Sequence, residues 1–106
     1  MLRRYGFRLR VKSGHEQDYI YHHEHVIPEL IQALKEAGIQ NYSIFMDGTD
    51  LFAYLECEDI ENAWSYVRNN DASEAWDIIM TPHMDLVDPQ DDKPNMKPLR
   101  EVFHLD

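Results

Sequence analysis

The chain has 106 residues with 43% hydrophobic content, enough for one modest core and one domain spanning 1–106. Ten Lys and Arg stand against twenty Asp and Glu, a formal net charge of -10, which repels phosphate backbones and anionic membrane faces and so argues against a nucleic-acid or membrane partner. One cysteine, Cys57, precludes an internal disulfide and fits a reducing cytoplasm; no run of 18 apolar residues is present, and MLRRYGFRLRVK lacks the unbroken apolar block of a secretory leader.

Residues 4–12 alternate strictly. Tyr5, Phe7, Leu9 and Val11 face one way, and Arg4, Arg8, Arg10 and Lys12 the other, which predicts a strand with one buried face. Ser13-Gly14 breaks the strand, with Ser13 placed to cap the next helix. From His15 to Ala37 the spacing turns helical through Tyr19, His23, Val26 or Ile27, Leu30 and Leu34. Pro28 must kink or restart that helix, and Gly38 ends it. Asn41–Met46 reads as a second strand, Asp47-Gly48-Thr49-Asp50 as a hairpin turn, and Leu51–Glu58 as the returning third strand. A helix is expected from Asp59 to about Asn69, with Ala63, Trp64 and Val67 inward. Asp71 with Glu74 resembles a capping box for a further helix through Trp76, Ile79 and Met80. Residues 81–98 hold four of the five prolines and read as a loop, and Leu99–Leu105 alternates as a last strand.

The order β-α-β-β-α-β predicts an α+β chain of ferredoxin-like topology, an antiparallel sheet with helices on one face. The other sheet face needs a cover, and a second copy of a chain this short supplies one, so a homodimer is expected.

Chemistry concentrates in Tyr19-Ile20-Tyr21-His22-His23-Glu24-His25, where three of the six histidines fall within four positions. Histidine titrates near neutrality and can both take and give a proton. His23 lies one helical turn from Tyr19 on the inward stripe, either as a hydrogen-bonded core residue or as a proton carrier facing a cavity. His22 and His25 fall on the polar side. With Glu29 they form a weak metal pattern that lacks a second cluster, so no metal is expected. Tyr19, Tyr42, Trp64 and Trp76 supply aromatic faces of the kind that pack against sugar C–H patches, although core packing is the simpler reading of Trp64. No glycine-rich phosphate loop, Ser-His-Asp arrangement or GxSxG occurs, so a dinucleotide or other cofactor has no support.

Several segments in order resemble the L-rhamnose mutarotase family, small dimeric enzymes with a ferredoxin-like α/β-barrel. They are the opening strand, Tyr19 and His23 running into Pro28-Glu29-Leu30, Asn41-Tyr42, the Asp-containing hairpin, Trp64, and the closing Glu101-Val102-Phe103-His104-Leu105. The resemblance spans essentially the whole chain. It implies that His23 is the proton donor, that Tyr19 and Tyr42 contact the sugar, and that a neutral monosaccharide is exchanged between its α and β anomers without a cofactor. The family's Trp-Trp pair is kept at Trp76 but replaced at Asp77. A carboxylate there exchanges a stacking surface for a hydroxyl-binding group and leaves room for a related 6-deoxy or plain aldose such as fucose. Dimeric barrels of this topology also host cofactor-independent or haem-degrading monooxygenases, and a non-catalytic ligand-binding module is a third reading.

Overall fold

A computed structural model describes all residues from Met1 to Asp106. The alternating segment forms β1, Arg3–Val11, the centre of a five-stranded antiparallel sheet. β2 (Gln40–Asp47) and β3 (Asp50–Cys57) make a hairpin, and β3 pairs with β1 from Arg3↔Cys57 to Arg10↔Asp50. On the other edge of β1 lie two short strands, β4 (Met84–Asp85) and β5 (Lys97–Leu99). The order β2-β3-β1 followed by these short strands is the expected ferredoxin-like arrangement, curled into a half-barrel and backed by four helices.

Each helix begins and ends for a local reason. α1 (Glu16–Glu24) and α2 (Pro28–Glu36) are separate helices, because Pro28 has no N–H to continue α1 but suits the first turn of α2. Gly38, at φ +85°, ends α2 in the left-handed conformation, which a side chain would strain. α3 (Ile60–Arg68) starts at Asp59, whose carboxylate accepts from Glu61 N at 3.1 Å and Asn62 N at 3.2 Å. α4 spans Asp71–Met80.

Four expectations need correction. His15 and not Ser13 holds the N-cap position of α1, without a capping side-chain bond; Glu16 accepts from Gly14 N at 2.6 Å. The cap of α4 is Asn70, which accepts from Ala72 N at 2.9 Å, so Asp71 is already helical and no capping box forms with Glu74. The proline-rich loop contains a 3-10 turn, Thr81–His83, and the short strand β4. The last strand is Lys97–Leu99, and residues 100–106 lie outside any strand. Leu99 and the residues after it do alternate, but backbone pairing with β1 ends at Gly6↔Leu99, and beyond it Glu101 meets Arg4 through side chains instead of a ladder.

The side of the sheet toward the helices is apolar. Leu51, Leu55, Val11 and Cys57 are fully buried, with Phe7, Ala53, Leu30, Ala33, Ala63 and Val67 around them. The opposite side carries Arg4, Arg8 and Arg10, the cross-strand pair Phe45↔Phe52, and Leu99. Arg10 binds Asp50 through Nε and Nη2, and Arg4 binds Glu101 in bidentate fashion at 2.9 and 2.8 Å. Phe45 is 66% exposed on this side, and Val102, Phe103 and Leu105 are also exposed.

Candidate functional site

A cavity of about 730 Å³ opens between the helix-side face of the sheet, α1, α2, α4 and the segment between β4 and β5. It takes in each of the five residues singled out in the sequence, Tyr19, His23, Tyr42, Trp76 and Asp77. Its volume is in the range typical of small-molecule sites.

α1 carries Tyr19 and His23 at i, i+4. The rings stack with centroids 4.0 Å apart and planes 24° apart. His23 Nδ1 lies 2.9 Å from the Tyr19 carbonyl oxygen. A carbonyl only accepts, so Nδ1 carries the hydrogen and donates it, and the neutral imidazole keeps its lone pair on Nε2. Trp76 from α4 meets His23 edge-on at 5.1 Å and 82°. Burial among these rings lowers the imidazole pKa; the bond to the Tyr19 carbonyl opposes that shift, and nearby His22 adds to it. His23 is therefore held neutral, with one tautomer, at the wall of a cavity.

Tyr42 stands beside a backbone irregularity. Gln40 faces Glu56 and Ser43 faces Tyr54, so β2 spends one more residue than β3 over this stretch. Asn41 absorbs the extra residue at φ +52°, a conformation Asn tolerates better than most side chains, and its amide is tied to Glu56 at 2.5 Å. Past the bulge, Tyr42, Ile44 and Met46 alternate onto the helix side, and Tyr42 and Ile44 line the cavity. Tyr19 is buried and its phenol pKa is raised well beyond the ordinary tyrosine range; that of Tyr42 is pushed up to about 12 by burial. Both hydroxyls stay protonated at neutral pH and serve as donors.

Asp77 sits on α4 at the exposed rim, and desolvation pushes its carboxyl pKa up. Trp64 does two things. It packs edge-on against Phe7 and Tyr42, each at 6.3 Å, as core reasoning predicts, and it also lines the cavity. Sequence reasoning missed the roof. Lys93, Pro94, Asn95 and Met96, with Met84 and Asp85, complete the enclosure, and nothing in a proline-rich acidic stretch marks which residues fold inward.

The other clustered histidines behave differently. His25 is exposed, its ring tilted 32° against that of Tyr21 at 4.4 Å, with Nδ1 2.7 Å from the Tyr21 carbonyl. α1 stops at Glu24, so the helical spacing that linked His22, His25 and Glu29 does not hold. His22 is half-buried rather than solvated, its ring 5.3 Å from that of His83. His83 also contacts His15, Nδ1 to Nδ1 at 3.0 Å, and Asp18 at 3.8 Å. This grouping joins residues 68 positions apart and has no signature in the sequence.

The family model for L-rhamnose mutarotase matches residues 4–105. An L-rhamnose mutarotase from Oceanobacillus iheyensis is 36% identical over 99% of this chain and 100% of its own length. One from Ligilactobacillus salivarius is 40% identical over 97% of each chain. The crystal structure of an L-rhamnose mutarotase from Formosa agariphila superposes with a TM-score of 0.79 at 33% identity, covering 98% of this chain and 99% of that one. A protein from Bordetella bronchiseptica named for antibiotic biosynthesis monooxygenases superposes at 0.70 over 96% of this chain and 98% of its own, but with 12% identity, a likeness of fold alone.

Proposed function

The chain belongs to the L-rhamnose mutarotase family, an isomerase family, and on that premise we propose that it interconverts the α and β anomers of L-rhamnose or a related 6-deoxyhexose in the cavity walled by His23 and its aromatic neighbours. The observation that carries this reading is His23, a neutral imidazole with its free nitrogen fixed as Nε2 inside a wall of Tyr19, Tyr42, Trp64 and Trp76. Aromatic faces suit the C–H patches of a sugar, and hydroxyl donors suit its oxygens.

Anomer exchange needs one proton removed from the anomeric hydroxyl and one delivered to the ring oxygen. As they move, the bond from the anomeric carbon to the ring oxygen breaks and leaves an open aldehyde. Rotation about the bond next to it presents the other face. Closure then returns a proton to the carbonyl oxygen and removes one from the ring-forming hydroxyl. No electrons enter or leave, and acid/base groups in position suffice. His23 Nε2 is the proton carrier of this reading. The Tyr19 and Tyr42 hydroxyls orient the ring by donating to its oxygens, and Asp77 at the rim accepts from a sugar hydroxyl. The second proton carrier is another group on the same wall or an ordered water.

The reading includes a homodimer closed through the open sheet face. The exposed Phe45, Phe52 and Leu99 and the apolar Val102, Phe103 and Leu105 beside them support it. It also places the protein in a reducing cytoplasm, in keeping with a single, buried, free Cys57. No helix is long and apolar enough to cross a membrane.

The decisive experiment is NMR exchange spectroscopy on a panel of equilibrated aldoses. The α and β anomeric signals of L-rhamnose or a close relative should exchange at a rate proportional to protein concentration. Exchange no faster than in buffer across the panel would remove the proposal and favour a binding module.

A further inference from the structure

Outside the sugar cavity, the start of α1 and the 3-10 turn that follows α4 bring two imidazoles and a carboxylate together. His15 Nδ1 and His83 Nδ1 are 3.0 Å apart, Asp18 Oδ2 is 3.8 Å from His83 Nδ1, and the three donor atoms all lie within 4.8 Å of one another. None of the three lines the cavity.

A divalent ion held tetrahedrally at about 2.0–2.2 Å from nitrogen and oxygen ligands keeps those ligands about 3.3 Å from each other. The two nitrogens are already near that spacing. Asp18, the most exposed of the three side chains at 58%, has the freedom to move inward. The histidines are set by one residue of the main chain. Lys12 N donates to the His83 carbonyl at 2.9 Å, and His15 N donates to the Lys12 carbonyl at 2.9 Å. Val11↔Met84 pairing continues that alignment into β4. The backbone thus presents both rings before any ligand arrives, which limits what binding must order. A fourth position is open to water or to His22, whose ring is 5.3 Å from that of His83.

We propose that His15, Asp18 and His83 form a binding site for a divalent transition-metal ion of the Zn²⁺ type, separate from the sugar cavity. Two imidazoles with one carboxylate suit Zn²⁺, Ni²⁺ or Cu²⁺ better than Mg²⁺ or Ca²⁺, which take oxygen ligands. With three protein ligands and one open position the site resembles in number the open kind of zinc site. Its place in the fold gives it a mechanical role. The ion joins α1, which carries Tyr19 and His23, to the Thr81–Asp85 segment, whose Thr81, Met84 and Asp85 form part of the cavity wall. It stabilises the folded chain in proportion to its occupancy.

Co²⁺ reports on this site because it replaces Zn²⁺ and absorbs visibly when tetrahedral. Titrating the folded protein with Co²⁺ should give saturating absorbance at one ion per chain, displaced by Zn²⁺, and the melting temperature should rise with Zn²⁺ concentration. His15→Gln and His83→Ala should each abolish both signals, whereas His25→Ala should keep them. If His83→Ala does not fold by circular dichroism, His15→Gln, on a partly buried residue ahead of α1, decides the matter. An absence of saturable binding to the wild type overturns the proposal. So does binding that survives His15→Gln, or that is lost with His25→Ala, since either places the ion elsewhere.

Discussion

The imidazole of His23 lies flat on the phenol of Tyr19, 4.0 Å between centroids, while donating from Nδ1 to the carbonyl of that same residue at 2.9 Å. One residue thus fixes both the tilt and the tautomer of the other. Replacing His23 with Ala removes the proton carrier and leaves the aromatic walls standing. Anomer exchange should fall by roughly 10²-fold or more, with sugar binding weakened far less. His25→Ala, at an exposed position, should keep most of the activity. Exchange spectroscopy and isothermal titration, alongside a thermal melt of each variant, separate these effects. Wild-type exchange in a folded His23→Ala protein would make His23 a core residue.

The acid limb of the pH profile reflects the same environment. Burial lowers the His23 pKa below the usual imidazole value, so the neutral, working form persists to lower pH than for a free histidine. Exchange should hold steady through neutrality and decline only below the ordinary imidazole range. Stability moves in the same sense. Protonation of His23 is easier in the unfolded chain, so its contribution is intact above the unfolded-state pKa and is lost as pH falls through the folded one. A rate–pH profile whose acid limb lies at or above the ordinary histidine value would contradict this.

Asp77 should decide which sugar is preferred. It stands at the cavity rim beside Trp76 with its carboxyl pKa raised by desolvation. Asp77→Trp exchanges a hydroxyl acceptor for a flat apolar surface and should reorder exchange rates across an aldose panel while the melt stays near wild type. An unchanged order would put Asp77 outside the sugar's reach.

Chelation should leave exchange untouched. The acid/base route needs no Lewis acid, and none of His15, Asp18 and His83 lines the cavity. Dialysis against a strong chelator and then the exchange assay tests this. A loss of activity restored by Zn²⁺ in protein that stays folded without the ion would assign the ion a part in the reaction or in holding the cavity wall.

Assembly is the remaining expectation. Light scattering should return twice the chain mass at micromolar concentration. Phe45→Asp together with Phe103→Asp, at positions 66% and 79% exposed, should shift the protein toward the monomer without lowering its helix content. A stable wild-type monomer would refute the dimer.

The features legible in the sequence were those that depend on neighbours in the chain. Alternation gave β1, the break at Pro28 gave two helices, Gly38 ended the second, and the turn at Gly48-Thr49 closed the hairpin. His23 and Tyr19 were legible as one helical face because four residues separate them. The misses share a cause. β4 and β5 have two and three residues, too few for a period to emerge, and exist because β1 offers an unpaired edge. Asn70 and Asp71 are equally good caps on paper, and the main-chain path chose the first. His15 and His83 meet only through the fold. The bulge at Asn41, next to Tyr42, depends on where β3 places Glu56 and Tyr54.

The roof of the cavity leaves and rejoins the same strand. β4 and β5 both anneal to β1, and residues 86–96 arch between them, braced by Lys97 to Asp91 at 2.7 Å. Both attachment points stay put whatever the span between them contains. For a flexible arch, doubling the length costs only about 0.6 kcal/mol in closure entropy. The height and reach of the enclosure are therefore free to vary by insertion or deletion near Pro89 without disturbing a single rung of the sheet. The floor holding His23 and Tyr42 tolerates no such change in length, since a residue added to β2 beyond its bulge would turn Tyr42 away.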